Sequence, residues 1–575
     1  MHVDVIRNHQ TAADGSRQEY LSKLLRRSYR DEQGRPRKET LANLSALPDS
    51  VIDDLRRLLK GETLVSASTG LTIERSLSHG DVALVHAMAS KLGLKELLGP
   101  DCRQRDLAYS LIISRVVKPN SKLSTLNWWQ DSSLGADLRV AEASRDSVYE
   151  SLDWLFGQQE EIEKRLAARH LEPGGMVMFD LSSSWMEGVK CPISAFGHSR
   201  DGKRGKKQIE YGLLTAPRGI PVAIRVFPGN TSDPRAFPEA VRAVRETFGL
   251  KQMVFVGDRG MITTIRVKQL SKLEGADWIG ALKAPQIAAL ARDDGPLQMS
   301  LSGTQNFAEF THEDFPGERL IGCRNPVLHE QRAHKRRELL AATEENLDKI
   351  VESVKAGRIS DAGKIGLRVG KVVNKHKVAK HFILEIADGV FAYRRDEEKI
   401  TEEARLDGLY VIRSSVAQEQ MSASEVILEY KNLAFVERDF RIIKVDDLDL
   451  RPVRHYLESR VRAHVFLCML ASYLTWHLRE TLAELTFKDE HVPARTCPVA
   501  SAERSPEAKS KDSRKSNGSL LVTSFRDLIT HLGRLTRDTI NIGGQRIEKI
   551  TEPTDRQRRA FELVGAKIPL SLADA

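Results

Sequence analysis

The chain has 575 residues, too many for one hydrophobic core, and its 41% hydrophobic and 29% charged content is that of a soluble globular protein with roughly three to five domains. Its five cysteines (Cys102, Cys191, Cys323, Cys468, Cys497) are scattered with no pair at zinc-ligand spacing, which excludes a disulfide framework and a structural zinc site and fits a reducing cytoplasm. The net charge of +9 makes an anionic partner plausible, and it is concentrated: residues 17–38 carry eight Lys/Arg against three acids, and HSRDGKRGKK (198–207) five against one.

From the N-terminus, MHVDVIRNHQ has no apolar leader, and residues 1–80 read as short strands, with a basic hairpin turning at Asp31 to Pro36. Residues 81–172 read as helices. One starts at Asp81 and stops at Gly93; another opens with Ser147 and Glu150 at capping-box spacing and buries Val148, Leu152, Leu155, Ile162 and Leu166. Such a unit fits DNA binding, and a plain bundle fits equally. From 173 to 283 the texture is α/β: MVMFD is a strand ending on Asp180, QIEYGLLTA and IPVAIRVFPGN pair around PRG, and QMVFVGD ends on Asp258. Residues 284–407 read as an inserted domain of strands around a long charged helix. GLYVIRSS then resumes the sheet, and 408–496 continues with a helix over 422–444 and a very apolar one containing AHVFLCMLASYLTW. That run is short of the roughly 20 residues of a membrane span and reads as a buried helix. Residues 497–520 are poor in core-forming side chains and read as a linker, and 521–575 as a small C-terminal unit.

Two acids ending strands stand where open α/β sheets place their sites, although aspartates there also form turns and helix caps. A third acid gives them a joint purpose. Tyr430, Glu437 and Lys444 are spaced seven apart, close to two helical turns, and share a face with Leu433 and Arg441. Three carboxylates suit Mg²⁺, a hard cation that prefers oxygen ligands, and two such ions about 4 Å apart promote phosphodiester transfer. Lysine and tyrosine beside them suit phosphate contacts.

These residues resemble a DDE transposase of a bacterial insertion sequence, in the group with a β-rich insertion before the catalytic glutamate and the signature Y-x2-R-x3-E-x6-K. Tyr430, Glu437 and Lys444 match its Tyr, Glu and Lys; its Arg position holds Leu433, a departure, with Arg441 the candidate substitute. Asp180 in FDLSSSW and Asp258 in GDRGM match the first and second acids, and GHSRDGKRGKKQIEYGLL, LDGLYVIRSS and RVRAHVFLCMLA are similar to flanking family segments. The resemblance implies an α/β, ribonuclease-H-like mixed-sheet core with an inserted β-rich and helical domain and a mainly helical N-terminal DNA-binding region. It implies Asp180, Asp258 and Glu437 as catalytic metal ligands for Mg²⁺, with Mn²⁺ substituting. The implied partners are double-stranded DNA, at the element ends and the target, and a second copy in a synaptic dimer, without membrane or nucleotide cofactor. The DNA-binding candidates are Tyr430, Lys444, Arg441, Arg200, Lys203, Arg204, Lys206, Lys207, Arg26, Arg27 and Arg30.

Rival readings fare worse. A haloacid-dehalogenase-type phosphatase needs a second Asp two residues after the first, where this chain has Ser182. His329 and His334 are five apart, off the spacing of a helical zinc pair. No GxxxxGK[ST] motif is present, and a catalytically inactive DNA-binding relative has no need of all three acids.

Overall fold

The computed structural model describes the chain except residues 12–16, 63–70, 232, 293, 294, 296, 298–305, 496, 514–519, 543 and 575. It divides into two compact units, residues 1–77 with 536–551, and residues 78–535 with 552–575.

In the first unit, strands β1 (His2–Thr11), β2 (Arg17–Arg30) and β3 (Pro36–Asn43) form an antiparallel sheet. The β2–β3 turn is held by Asp31, whose Oδ1 accepts from the Gln33 and Arg35 amides at 3.1 and 2.9 Å. Strand β4 (Leu71–Ser78) pairs with Thr536–Ile542, itself in a hairpin with Gln545–Ile550. The C-terminal residues 521–575 are therefore not one unit. Their hairpin completes the sheet of β4, where Ser76 and Glu74 bond Asp538 and Asn541, while the helices Phe525–Leu532 and Asp555–Val564 belong to the second unit.

The second unit is built around the helix Glu458–Thr481, apolar on all sides and buried for most of its length. It packs on helices Arg103–Val117 and Arg145–Gly157 and on the strand Ile220–Pro228, so the helical region 81–172 shares its core with the α/β part. The large sheet contains β5 (Met176–Trp185), β6 (Gln208–Ala216), β7 (Ile220–Pro228), β8 (Met253–Val256), β9 (Ala276–Ala281), β10 (Phe307–Phe310) and β11 (Arg319–Arg324). The hairpin β12 (Phe382–Ala387) and β13 (Val390–Arg395) stands apart, and β14 (Leu409–Ser414) returns to the sheet. The order is β10-β11-β14-β9-β8-β5-β6-β7, with β5, β8 and β9 parallel and the remaining pairs antiparallel.

Three expectations change. Strand β5 does not stop at Asp180. It continues through the three serines to Trp185, because β6 pairs with it from Met178 to Trp185. Residues 284–407 are not all insertion, since β10 and β11 extend the sheet. What leaves it is the stretch between β11 and β14, where helices Pro326–Lys355 and Ala362–Lys375 and the β12–β13 hairpin enclose a core of their own around Leu347, Ile365 and Phe382. The expected linker is also docked in part. Ser505 donates to Asp489, and the buried Lys511 ammonium donates to the carbonyls of Ala483 and Lys488 at 2.8 and 2.7 Å; residues 514–519 of that stretch lie outside the described residues.

Candidate active site

Three elements bring the three acids to one cavity of about 530 Å³. Strand β5 pairs with β8 only from Met176 to Met178, while its other edge stays on β6, so Asp180 sits just where the β8 side opens. Asp258 follows β8 by two residues. Its Oδ1 accepts from the Gly260 and Met261 amides at 2.8 Å each, a turn that fixes the carboxylate while the side chain still lines the cavity. Glu437 stands exposed on helix Leu433–Arg441, which packs on β5.

That helix is set by its neighbours. The stretch expected as one helix begins at a Ser422–Glu425 capping box, is interrupted at Asn432, and widens over Ile442–Asp446. Against its back lies the tight turn after β6, where Gly219 has φ +83°. A Cβ there would meet Asp439 Oδ2 and Phe435 Cβ at 2.8 Å each, so glycine permits the close approach. Asp439 is buried on that side, and burial pushes its carboxyl well above the ordinary value.

Electrostatics in the cavity follow from crowding. The Asp180 carboxyl is pushed up to about 7, first by burial and then by the charge of Asp258, with Glu437 adding; the Leu181 amide and Arg200 oppose. Burial, then the negative charge of Asp258, with Asp180 and Glu437 contributing less, pushes the Tyr430 phenol up to about 12, against the opposing charge of Arg259. The lining also includes Arg259, Arg332 and Lys431, and an apolar floor of Leu282, Ile287 and Leu409. Among the described residues no three Asp, Glu, His or Cys side chains are drawn together as a ready metal-ligand group.

The structure brings Asp180, Asp258, Glu437 and Tyr430 together, with Leu433 beside them. Lys444 lies elsewhere. The widened turn rotates it off the Tyr430–Glu437 face, and its ammonium, buried, bonds Asp201 at 2.9 Å, which Arg451 also pairs at 2.5 Å. Arg441 is exposed. In the basic segment, the Arg200 guanidinium donates to the Leu181 carbonyl beside Asp180, and Lys203 and Lys206 lie over the Trp185 ring at 5.5 and 5.8 Å. Arg204 is exposed and Lys207 half-buried. Arg26, Arg27 and Arg30 are on β2 in the first unit, bonded to Asp4, Glu39 and the Gly34 carbonyl.

Sequence reading missed Arg259, Arg332 and Lys431. Arg259 had a signal, lying inside GDRGM. Arg332 belongs to the charged helix Pro326–Lys355, whose turn-by-turn charges read as a solvated face. On the same helix, His329 bonds the Asp407 carbonyl and His334 pairs with Glu338.

Comparison with known families and structures gives two matches to family models. One, described as a transposase DDE domain, spans residues 189–474, starting just after Asp180 and containing Asp258, Tyr430, Glu437 and Lys444. The other, described as the N-terminal domain of IS1634 family transposases, spans residues 7–69. Solved structures similar to the chain include the cryo-EM structure of a piggyBac transposase synaptic complex with hairpin DNA, at 9% identity and a TM-score of 0.33, over 69% of this chain and 72% of that one. No curated protein matches. Among the described residues no helix is long and apolar enough to cross a membrane.

Proposed function

Because the chain belongs to the DDE transposases of bacterial insertion sequences, we propose that Asp180, Asp258 and Glu437 are its catalytic acids, set in a ribonuclease-H-like core that cleaves DNA at the element ends and joins it to target DNA. The observation that carries this reading is the convergence of three carboxylates, from a strand, a loop and a helix, on one cavity. Their donor chemistry fits divalent ions. They are hard oxygen ligands, and a divalent cation would offset the burial and the Asp258 charge that together raise Asp180. Asp180, Asp258 and Glu437 would hold Mg²⁺, or Mn²⁺ in its place. When bound, the metal supplies Lewis-acid stabilisation of the attacking and leaving oxygens.

The remaining roles belong to the chain itself. The turn at Gly260 and Met261 holds the Asp258 carboxylate in orientation through two amide hydrogen bonds. Asp180 must give up its proton before it can ligate, so its elevation in the metal-free protein, from burial and then the charge of Asp258, makes divalent-ion affinity rise as pH rises towards about 7. Tyr430 keeps its hydroxyl proton at neutral pH and so donates to a phosphate oxygen. Arg259 and Arg332 neutralise backbone phosphates at the cavity wall, and the apolar floor limits water. Recognition of the terminal repeats falls to the basic N-terminal sheet, within the matched residues 7–69, and to the helices before β5. Two copies of the chain hold the two ends in the synaptic complex.

The test is nicking of DNA carrying an element end with Mg²⁺ present. Asp180→Asn and Asp258→Asn lose cleavage while retaining fold and DNA binding; wild-type rates in either would remove the assignment.

A further inference from the structure

A second cavity, also of about 530 Å³, lies beside residues 449–455, where they face the ends of helices Arg103–Val117 and Lys122–Gln130. Four cations line it, Arg115, Lys122, Arg451 and Arg454, with the imidazoles of His455 and His464. The carboxylate in the lining, Asp449, is already taken by Arg526 at 2.9 Å, and Arg451 is held by Asp201. Arg115, Lys122 and Arg454 have no carboxylate at ion-pair distance among the described residues. Arg115 donates instead to the carbonyls of Asn120 and Leu448 at 2.9 and 3.4 Å. Lys122, only 5% exposed, donates to His464 Nδ1 at 2.9 Å.

This arrangement is only partly compensated. Burial, reinforced by Arg115, pushes the Lys122 ammonium well below its ordinary value. His455 is lowered to about 3 by burial and by the neighbouring cations, so it stays neutral and adds no further positive charge. Arg115 and Lys122 are buried with no carboxylate at ion-pair distance among the described residues, an unfavourable arrangement that hydrogen bonds to carbonyls and an imidazole offset only in part. The first turn of helix Lys122–Gln130, capped by Ser121 Oγ on the Ser124 amide, opens on the same space through Asn120 and Ser121 and adds its dipole to the positive field.

The position relates the cavity to the acid site. The Val453 amide donates to the Trp185 carbonyl at 3.2 Å and the Val453 carbonyl accepts from the Glu187 amide at 2.9 Å, so the cavity wall is tied to the far end of β5. Asp180 is five residues back along that strand, roughly 17 Å at the rise of a β-strand. One strand of duplex DNA places a phosphate about every 3.4 Å along its axis, so that span is roughly five phosphates. Trp185, with Lys203 and Lys206 over its ring, stands at that far end of the strand.

We infer that this cavity is a phosphate-binding site for DNA, seating a backbone phosphate of the strand whose scissile bond lies at the acid cavity. The inference rests on the DNA-cleaving reading above and adds a second anchoring point on the same strand.

Binding of the full chain to linear duplex DNA, measured in chelator without divalent ions over a range of salt, separates the two ideas. Arg454→Gln and Lys122→Met are expected each to lower the slope of log K against log salt by about one and to weaken binding alike for all sequences; Lys272→Gln, an exposed lysine away from both cavities, leaves the slope unchanged. Unchanged slopes in both cavity variants overturn the inference. Circular dichroism checks folding, and should Lys122→Met not fold, the exposed Arg454→Gln decides alone. Inorganic phosphate at constant ionic strength is the second probe. Competition with DNA in the wild type, abolished by the cavity variants, supports the site, whereas phosphate binding with unchanged DNA slopes means that it takes free anions only and overturns the DNA assignment. Because no metal or cleavage enters the assay, an active Asp180→Asn would sink the catalytic reading and leave this result standing.

Discussion

The acid cavity and the cation cavity have the same volume, about 530 Å³, and differ in which charge each crowds against its own kind. In the first, three carboxylates line one cavity, and burial, then the charge of Asp258, raises Asp180 to about 7. In the second, cations meet with their one lining carboxylate engaged elsewhere, and the cost is visible as the depressed Lys122. Folding alone favours neither arrangement. On the proposals made above, a ligand of opposite sign would offset each, a divalent cation in one and a DNA phosphate in the other.

The strongest way to break this comparison is to remove one acid. Glu437→Gln, Asp180→Asn or Asp258→Asn should lower metal-dependent nicking by about 10³-fold or more, while Asp439→Asn, two residues from Glu437 but buried against Gly219, should keep it. A dead Asp439→Asn beside an active Glu437→Gln would reverse the helix assignment. Next in size is Lys444→Met. Its ammonium shares the buried Asp201 with Arg451, so the substitution should cost about 1–3 kcal/mol of stability in a denaturant titration. A catalytic defect at unchanged stability would instead place Lys444 on DNA. Tyr430→Phe removes one hydroxyl facing the acids and should slow cleavage by about tenfold in single-turnover kinetics, with metal affinity unaltered.

A smaller effect sharpens the electrostatic side. The folded value of Asp180, about 7, lies above its ordinary 3.8, so the folded protein binds this proton more tightly than the unfolded chain does. The associated stability is full below about pH 4 and is lost as pH rises through about 7. Without divalent ions, Tm should therefore fall by a degree or two between pH 5 and pH 8 in the wild type and less in Asp180→Asn, and added Mg²⁺ should restore it in the wild type only. An equal response in the two proteins would show that Asp180 is not where the ion binds.

How much of this was legible in the sequence differs residue by residue. Asp258 and Glu437 stand in local patterns, a strand followed by a turn and an amphipathic helix, and the structure brings both to one cavity. Asp180 was read as a strand terminus because aspartate and a serine run are poor strand formers; pairing with β6, a contact from distant sequence, carries the strand on to Trp185. The same blindness to nonlocal pairing assigned β10 and β11 to the insertion and left the hairpin 536–551 with the C-terminal helices. Lys444 was projected onto the Glu437 face by assuming a constant helical repeat. The widened turn at Ile442–Asp446, which the spacing does not announce, breaks that projection. Arg332 had no local signal, since only the tertiary placement of its helix gives that one charge a cavity to face.

The serines between Asp180 and Trp185 have a consequence of phase. Side chains along a strand alternate with period two, so deleting one of Ser182, Ser183 or Ser184 leaves Asp180 in place and turns everything beyond it to the opposite face. Trp185 would leave the ammoniums of Lys203 and Lys206, and the backbone link to Val453 would lose its register, although neither cavity had lost a single lining side chain. Such a deletion, in a protein that still folds, should leave Mg²⁺ stabilisation intact while weakening DNA binding. Restoring one alanine should recover the binding, which makes those three small residues a spacer whose parity, more than whose chemistry, joins the two sites.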